Sequence, residues 1–224
     1  MEKTRKLVIL GDSAFAEIAY EYFTHDSPYE VVGFSVEQAF FKRDELFGLP
    51  VVPFESIDTH FLPGEHSFFA AITYVQLNRL RTRLYRAAKN LGYRPASYVS
   101  SRAFVWRNVE MGEHCFIFEG NVVQPFARIG ENVVLWSGNH IGHHSAIGAN
   151  CFIASHAVVS GFVNIGENCF VGVNTTFSNN IVVGKDCLIG AGAMVARDVP
   201  EDKVVKGEAG EPTGSARRLN RVKE

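Results

Sequence analysis

The sequence predicts an α/β domain of βαβ (Rossmann-like) type followed by a parallel β-helix, and three observations carry that expectation. Residues 1–97 alternate short apolar runs with helical patterns. From residue 98 a period of six replaces the helical period. The four cysteines, Cys115, Cys151, Cys169 and Cys187, are separated by multiples of eighteen, three such periods.

In the first segment "KLVILG" reads as a short buried strand and "SAFAEIAYEYF" as an amphipathic helix. "YEVVGFSV" and "HSFFAAIT" are two further strands, and "VQLNRLRTRLYRAAKNLG" is a helix closed by a glycine cap at Gly92. Strands alternating with helices imply a small parallel sheet.

Stepping by six from Val99 through Met111, Ile129, Ile147, Ile165 and Val183 to Val195 meets seventeen apolar residues without a slip. Roughly half of all residues are apolar, so such a run has chance odds of about one in 10⁵, and the period is structural. Three hexads make one triangular coil of eighteen residues, and coils stack at the parallel-strand spacing of about 4.8 Å. Residues eighteen apart therefore lie above one another. Gly112, Gly130, Gly148, Gly166 and Gly184 form one column, read as tight corners. The cysteines with Val133 form another, read as small buried hydrophobes rather than disulfides. Hexads stop after Pro200, so the expected layout is 1–97, 98–200 and a tail over 201–224.

A formal charge of −2 from 22 basic and 24 acidic residues argues against nucleic acid or an anionic membrane as partner. The apolar run of the N-terminus is four residues, short of a signal peptide or membrane span, which points to a cytoplasmic protein. "WSGNHIGHHSAIG" gathers His140, His143 and His144. On a hexapeptide corner that spacing does not converge, and no carboxylate joins it, so no metal is expected.

The run "IGENVVLWSGNHIGHHSAIGANCFIASHAVVSGFVNIGENCFVGVNTTFSNNIVVGKDCLIGAGAMVARDVP", with "LVILGDSAFAE" before it, resembles the hexapeptide-repeat sugar acyltransferases of the sialic-acid O-acetyltransferase and bacillosamine N-acetyltransferase type. The resemblance spans about residues 5 to 207. It implies a left-handed β-helix, a homotrimer with acetyl-CoA between neighbouring prisms, and a nucleotide-sugar substrate reaching in from the N-terminal domain. Trp106, Phe118 and Trp136, read at prism corners or outer faces, give the trimer independent support.

The resemblance makes His143 the general base and gives the oxyanion-hole donor as the backbone N–H of Gly161, one coil on. An imidazole suits the task because it titrates near neutrality. The next position carries a carboxylate in similar enzymes and here is His144. Glu119, Asn139 or a carboxylate of the next subunit are then the candidates to orient His143. For acetyl-CoA the resemblance points to Gly172, Gly190 and Ala191, with His156 near the groove and Lys206, Arg217 and Arg218 for the phosphates.

In the N-terminal domain the helix opening at Ser13 can take a phosphate. Asp12, or Ser35 with Glu37 after the second strand, are candidate contacts to base or ribose, and Asn78 with Arg81 lies near a strand end where ligands gather. The leading expectation is N-acetylation of a nucleotide-linked amino sugar for surface glycans such as lipopolysaccharide. O-acetylation of a sugar hydroxyl and a non-catalytic trimeric scaffold are the alternatives.

Overall fold

The computed structural model describes residues 2–207. Arg5–Leu10 forms strand β1, a run buried from Leu7 onward because both faces of a parallel strand are covered. Helix α1, Ala14–His25, buries Phe15, Ala16, Ala19 and Phe23 at helical spacing. Strands β2 (Tyr29–Val36), β3 (Glu45–Leu46) and β4 (Leu49–Pro53) follow, then the short helix α2 (Ile57–His60), β5 (His66–Ala70), helix α3 (Arg79–Asn90) and β6 (Arg94–Pro95). The sheet runs β3-β4-β2-β1-β5-β6, parallel except for the β3/β4 hairpin.

Helix α3 starts at Arg79, four residues later than the sequence pattern predicts. Gln76, Leu77 and Asn78 all take left-handed φ of 49 to 65°, a run no helix tolerates. At the other end Gly92, φ 93°, closes the helix as expected, its N–H donating to Lys89 O.

From Tyr98–Val99 the chain becomes a left-handed parallel β-helix of three sheets, with seven, six and five strands, called here the first, second and third faces. Each two-residue strand pairs with the one eighteen residues on, as in Phe116↔Val134 and Val123↔Ile141. From Ile117 onward the predicted aliphatic column points inward with all four cysteines, while Val99 and Met111 of the first coil stay exposed; the cysteines are free and fully buried. The last rungs are two residues short: Val183 bridges Val199, and Val204–Val205 pairs with Leu188–Ile189, so the prism continues past Pro200.

The left-handed corners fall three residues after each aliphatic, where Asn132, His144, Asn150, His156, Phe162 and Asn168 have φ of 56 to 60°. The glycine column follows a different rule. A Cβ on Gly130 would stand 2.6 Å from Ala149 N, and one on Gly148 2.7 Å from Glu167 N. Close approach of the next coil's backbone, not a positive φ, excludes side chains there.

The α/β domain docks on the first face. Phe15 meets Phe116, Phe118 and Trp136, and Tyr74 meets Phe152 and Phe170. Phe118 and Trp136 are thus covered by their own chain, which corrects their expected part in assembly; Trp106 remains 41% exposed.

Beneath this contact lies a fully buried polar knot. His114 Nε2 accepts the Ala70 N–H at 2.9 Å, which fixes the proton on Nδ1, donated to Asn132 Oδ1 at 2.8 Å. Arg81 donates to the carbonyls of Ala70, Asn132 and His114. Its burial without a carboxylate pushes its pKa down to about 9. No helix among the described residues is long and apolar enough to cross a membrane.

Candidate active site

The strand His140–Ile141 lies on the second face, and the chain turns to the third face through Gly142, His143 and His144. His143 and His144 are exposed, and their Nδ1 atoms lie 3.2 Å apart, one hydrogen bond between two imidazoles. The His143 backbone N–H donates to Gln124 Oε1 at 3.0 Å.

The ring of His143 reaches along the column toward the next coil and lies over Gly161. A methyl group at Gly161 would stand 2.7 Å from His143 Cε1 and 2.9 Å from Nε2. Gly161 therefore makes room for the imidazole. Its N–H is not free as the oxyanion role requires: it donates to Asn179 Oδ1 at 3.0 Å. Asn179, one coil further up the same column, escaped the sequence reading. Asparagine on a hexapeptide corner looks like ordinary turn chemistry.

His144 is stacked between Phe126 and Phe162, with ring centroids 4.7 and 4.9 Å away. His140, half-buried on the flat second face, does not turn toward them in any hydrogen bond among the described residues. No group of three metal-ligating side chains occurs among the described residues.

Two candidate partners of His143 have other duties. Glu119 accepts from Tyr22 Oη at 2.6 Å at the corner between the first and second faces. Asn139 is 1% exposed, donating to Trp136 O and accepting from the Ala157 N–H, so it closes a corner and is not available to an acceptor. Asn78 is likewise buried against the prism, its Nδ2 donating to Cys169 O, and Arg81 belongs to the buried knot. Asn78 and Arg81 are docking residues, not ligand contacts, because the segment between β5 and α3 folds onto the prism.

Asp12, Ser13, Ser35 and Glu37 do come together. They line a cleft of about 240 Å³ at the C-terminal ends of β1 and β2, with Phe40, Phe54 and Leu84 as apolar wall. This is where ligands bind in open parallel sheets. The Ser35 Oγ is buried there without a hydrogen-bond partner. Glu37 is held by Arg83 through two contacts of 2.8 Å, and that guanidinium lowers its pKa. Arg43 pairs with Asp12 at 3.3 Å.

Thr73 joins this cleft to a second one of about 360 Å³, between the domain and the corner leading from the first face to the second. Gly172 and Ala191 line it with Trp136, Ala154 and Ser155. The glycine is again required by stacking, since a Cβ on Gly172 would meet Ala191 N at 2.5 Å. Gly190 lies under the last rung, close to Val205 and Gly207. His156, on the same corner, folds its ring over Gly138. Lys206 is exposed beside Arg197 and Lys203 at the prism end. Arg217 and Arg218 lie outside the described residues.

The candidate residues thus form two groups on different corners. The second cleft lies at the first–second corner, joined through Thr73 to the first, and His143 lies at the second–third corner. The second face between them carries Phe104, 52% exposed, with Val158 and Met194.

The family model for the bacterial transferase hexapeptide, six repeats, matches residues 126–161 and again 162–197. Among solved structures the chain is similar to the acetyltransferase domain of PglB from Neisseria gonorrhoeae, at 23% identity over 94% of this chain and 100% of that one, TM-score 0.82. It is similar to PerB from Caulobacter crescentus in complex with CoA and GDP-perosamine, at 25% identity over 90% and 94%, TM-score 0.80. WeeI from Acinetobacter baumannii matches at 20% identity over 91% and 97%, TM-score 0.69. No curated protein sequence matches the chain.

Proposed function

We propose that this chain, whose residues 126–161 and 162–197 match the bacterial transferase hexapeptide and whose prism follows an α/β domain, is an acetyl-CoA-dependent N-acetyltransferase of a nucleotide-linked amino sugar. The observation that carries the reading is the placement of His143 on a prism corner. Its imidazole lies over a glycine, its Nδ1 is paired with His144, and Nε2 has no hydrogen bond among the described residues.

The reaction needs few groups. The acceptor amine attacks the thioester carbonyl and gives its proton to His143 Nε2 as the N–C bond forms. Collapse of the tetrahedral species breaks the C–S bond, and the departing thiolate takes that proton back. Products are the N-acetyl sugar and CoA thiol, with the enzyme unchanged. An amine that binds unprotonated is already nucleophilic, so much of the rate comes from holding it against the carbonyl. An imidazole at His144 beside the base, in place of a carboxylate, fits an amine acceptor better than a hydroxyl, which demands the stronger base.

Nucleotide binding is assigned to the cleft of Asp12, Ser13, Ser35 and Glu37. The unpartnered Ser35 Oγ supports it, because a buried hydroxyl without a partner costs about 1–3 kcal/mol unless a ligand satisfies it. The opening of α1 at Ser13 makes no side-chain cap and offers its N–H groups to phosphate. For acetyl-CoA the cleft of Gly172 and Ala191 suits a thin pantetheine arm, and Lys206, with Arg197 and Lys203, suits its phosphates.

The two corners lie at opposite edges of the second face, and the proposed active unit is a cyclic homotrimer in which one chain's His143 faces the clefts of its neighbour. The exposed apolar second face supports this arrangement. A role in surface-glycan assembly belongs to the same reading. The test is CoA thiol release against UDP-, dTDP- and GDP-linked 3-amino and 4-amino sugars, with their hydroxyl analogues alongside. Turnover of an amino sugar is expected; turnover of the hydroxyl analogues alone would replace this reading with O-acetylation.

A further inference from the structure

We propose that His144 is the positioning residue of the base, accepting a hydrogen bond from His143 Nδ1–H so that Nε2 is presented as the lone pair toward the acceptor. The inference rests on the reading of His143 as base. It adds why a second imidazole follows it.

The corner column itself isolates what His144 contributes. Phe126, His144, Phe162 and Asn180 occupy the same position in successive coils, all left-handed, with φ of 64, 60, 59 and 63°. Phenylalanine is therefore accommodated directly below and directly above His144. The three rings form one stack, at interplanar angles of 26° and 15°. A third phenyl group would complete that stack, so neither corner geometry nor aromatic contact calls for an imidazole at 144. What the histidine adds is a nitrogen 3.2 Å from His143 Nδ1.

The stack also fixes the plane of that nitrogen. His144 is clamped face to face by two rings, while His143 stands nearly perpendicular to it, at 85°. Phe162 meets His143 edge-on at 86°. The lone pair of His144 Nδ1 is thereby held in one direction, and His143 is oriented by a partner that cannot rotate away. With Nδ1 of His143 as donor, the proton that leaves the amine has one place to go, Nε2. The imidazolium so formed keeps its Nδ1–H on His144, now as a charge-assisted bond. No proton passes to His144, and none is required to.

Among the described residues no carboxylate hydrogen-bonds to His143 or His144. Gln124 faces the pair from the coil below through the His143 N–H, Gly161 and Asn179 from the coils above. Among the described residues no ion pair includes either histidine.

The variants follow from the column. His144→Phe keeps the stack and removes the acceptor. His144→Asn keeps an acceptor, Oδ1, near the place of Nδ1, in a residue this column already holds at Asn180. His144→Phe is expected to lower kcat roughly 10- to 100-fold with KM for both substrates unchanged within about twofold. His144→Asn should recover most of that loss. Histidine nitrogen NMR gives an independent readout: His143 should be protonated at Nδ1 in wild type and in His144→Asn, and lose that preference in His144→Phe. Wild-type kcat in His144→Phe, with His143→Ala inactive, overturns the inference and leaves the base assignment standing. Equal losses in the Phe and Asn variants overturn it as well. Full activity in His143→Ala removes the base and this inference together.

Discussion

His143 and Gly161 are matched across one coil step: the imidazole occupies the space a side chain at 161 would fill, with Cε1 2.7 Å from the position of a Cβ. Gly161→Ala should therefore displace the ring while leaving the fold, since the atom met is the end of a mobile side chain. A shift of about 1 Å in a catalytic group costs on the order of 10²-fold, and kcat should fall by that order with little change in Tm. Gly142→Ala is the contrast. Its Cβ would meet backbone, Ser160 C at 2.6 Å and Gly161 N at 2.7 Å, so thermal unfolding should show lost stability first.

The knot under the domain contact predicts an acid weakness. Burial, then the Arg81 charge, hold His114 well below its usual pKa of 6.5, so the folded state keeps it neutral. Below about pH 6.5 the unfolded chain binds a proton that the folded chain refuses, and stability falls at up to about 1.4 kcal/mol per pH unit. The carboxylates with lowered pKa, Asp26, Glu37, Glu113 and Glu119, act only at lower pH. Urea unfolding between pH 5 and 7 should show this slope in wild type and a flatter profile in His114→Gln; equal slopes would refute it.

If each active site is shared between chains, two inactive variants should complement. His143→Ala removes the base, and Thr73→Trp fills the junction of the two clefts. Randomly mixed trimers should regain about a quarter of wild-type activity, because one in four interfaces pairs an intact histidine with an intact cleft. Sites held within one chain would regain none.

The cysteine column should be silent in the native protein. All four thiols are fully buried, and burial pushes Cys115 up to about 11 and Cys151 well above its usual range; Cys169, lowered by its hydrogen bond with Cys151, is shielded by burial alone. A thiol reagent should label none until denaturant is added, then four per chain. This also clears the background of a thiol-release assay.

The prism was legible because its signal repeats. Every sixth residue is apolar, and the cysteine and glycine columns repeat the eighteen-residue coil independently. The corner position of His143 and the gathering of Asp12, Ser13, Ser35 and Glu37 at strand ends were legible because the hexad register and the strand order fix them. Other residues were not, for a common reason: their roles depend on how the domain docks. Asn78 and Arg81 follow a strand and resemble ligand contacts, yet the chain folds them onto the prism. His114 stands at a left-handed corner one coil before Asn132, where it reads as a turn residue, and only the docked domain makes it a buried neutral imidazole. Asn139 and Asn179 differ by what stacks one coil away, one closing a corner and the other holding the Gly161 N–H.

Steady-state CoA thiol release with mass analysis of the sugar decides whether His143 is the base of an acetyl transfer to an amino sugar. Wild type should form CoA and an N-acetylated nucleotide sugar in equal amounts, and His143→Ala should lower kcat by roughly 10²-fold or more with KM for acetyl-CoA preserved. Undiminished turnover in His143→Ala would exclude His143 as the base.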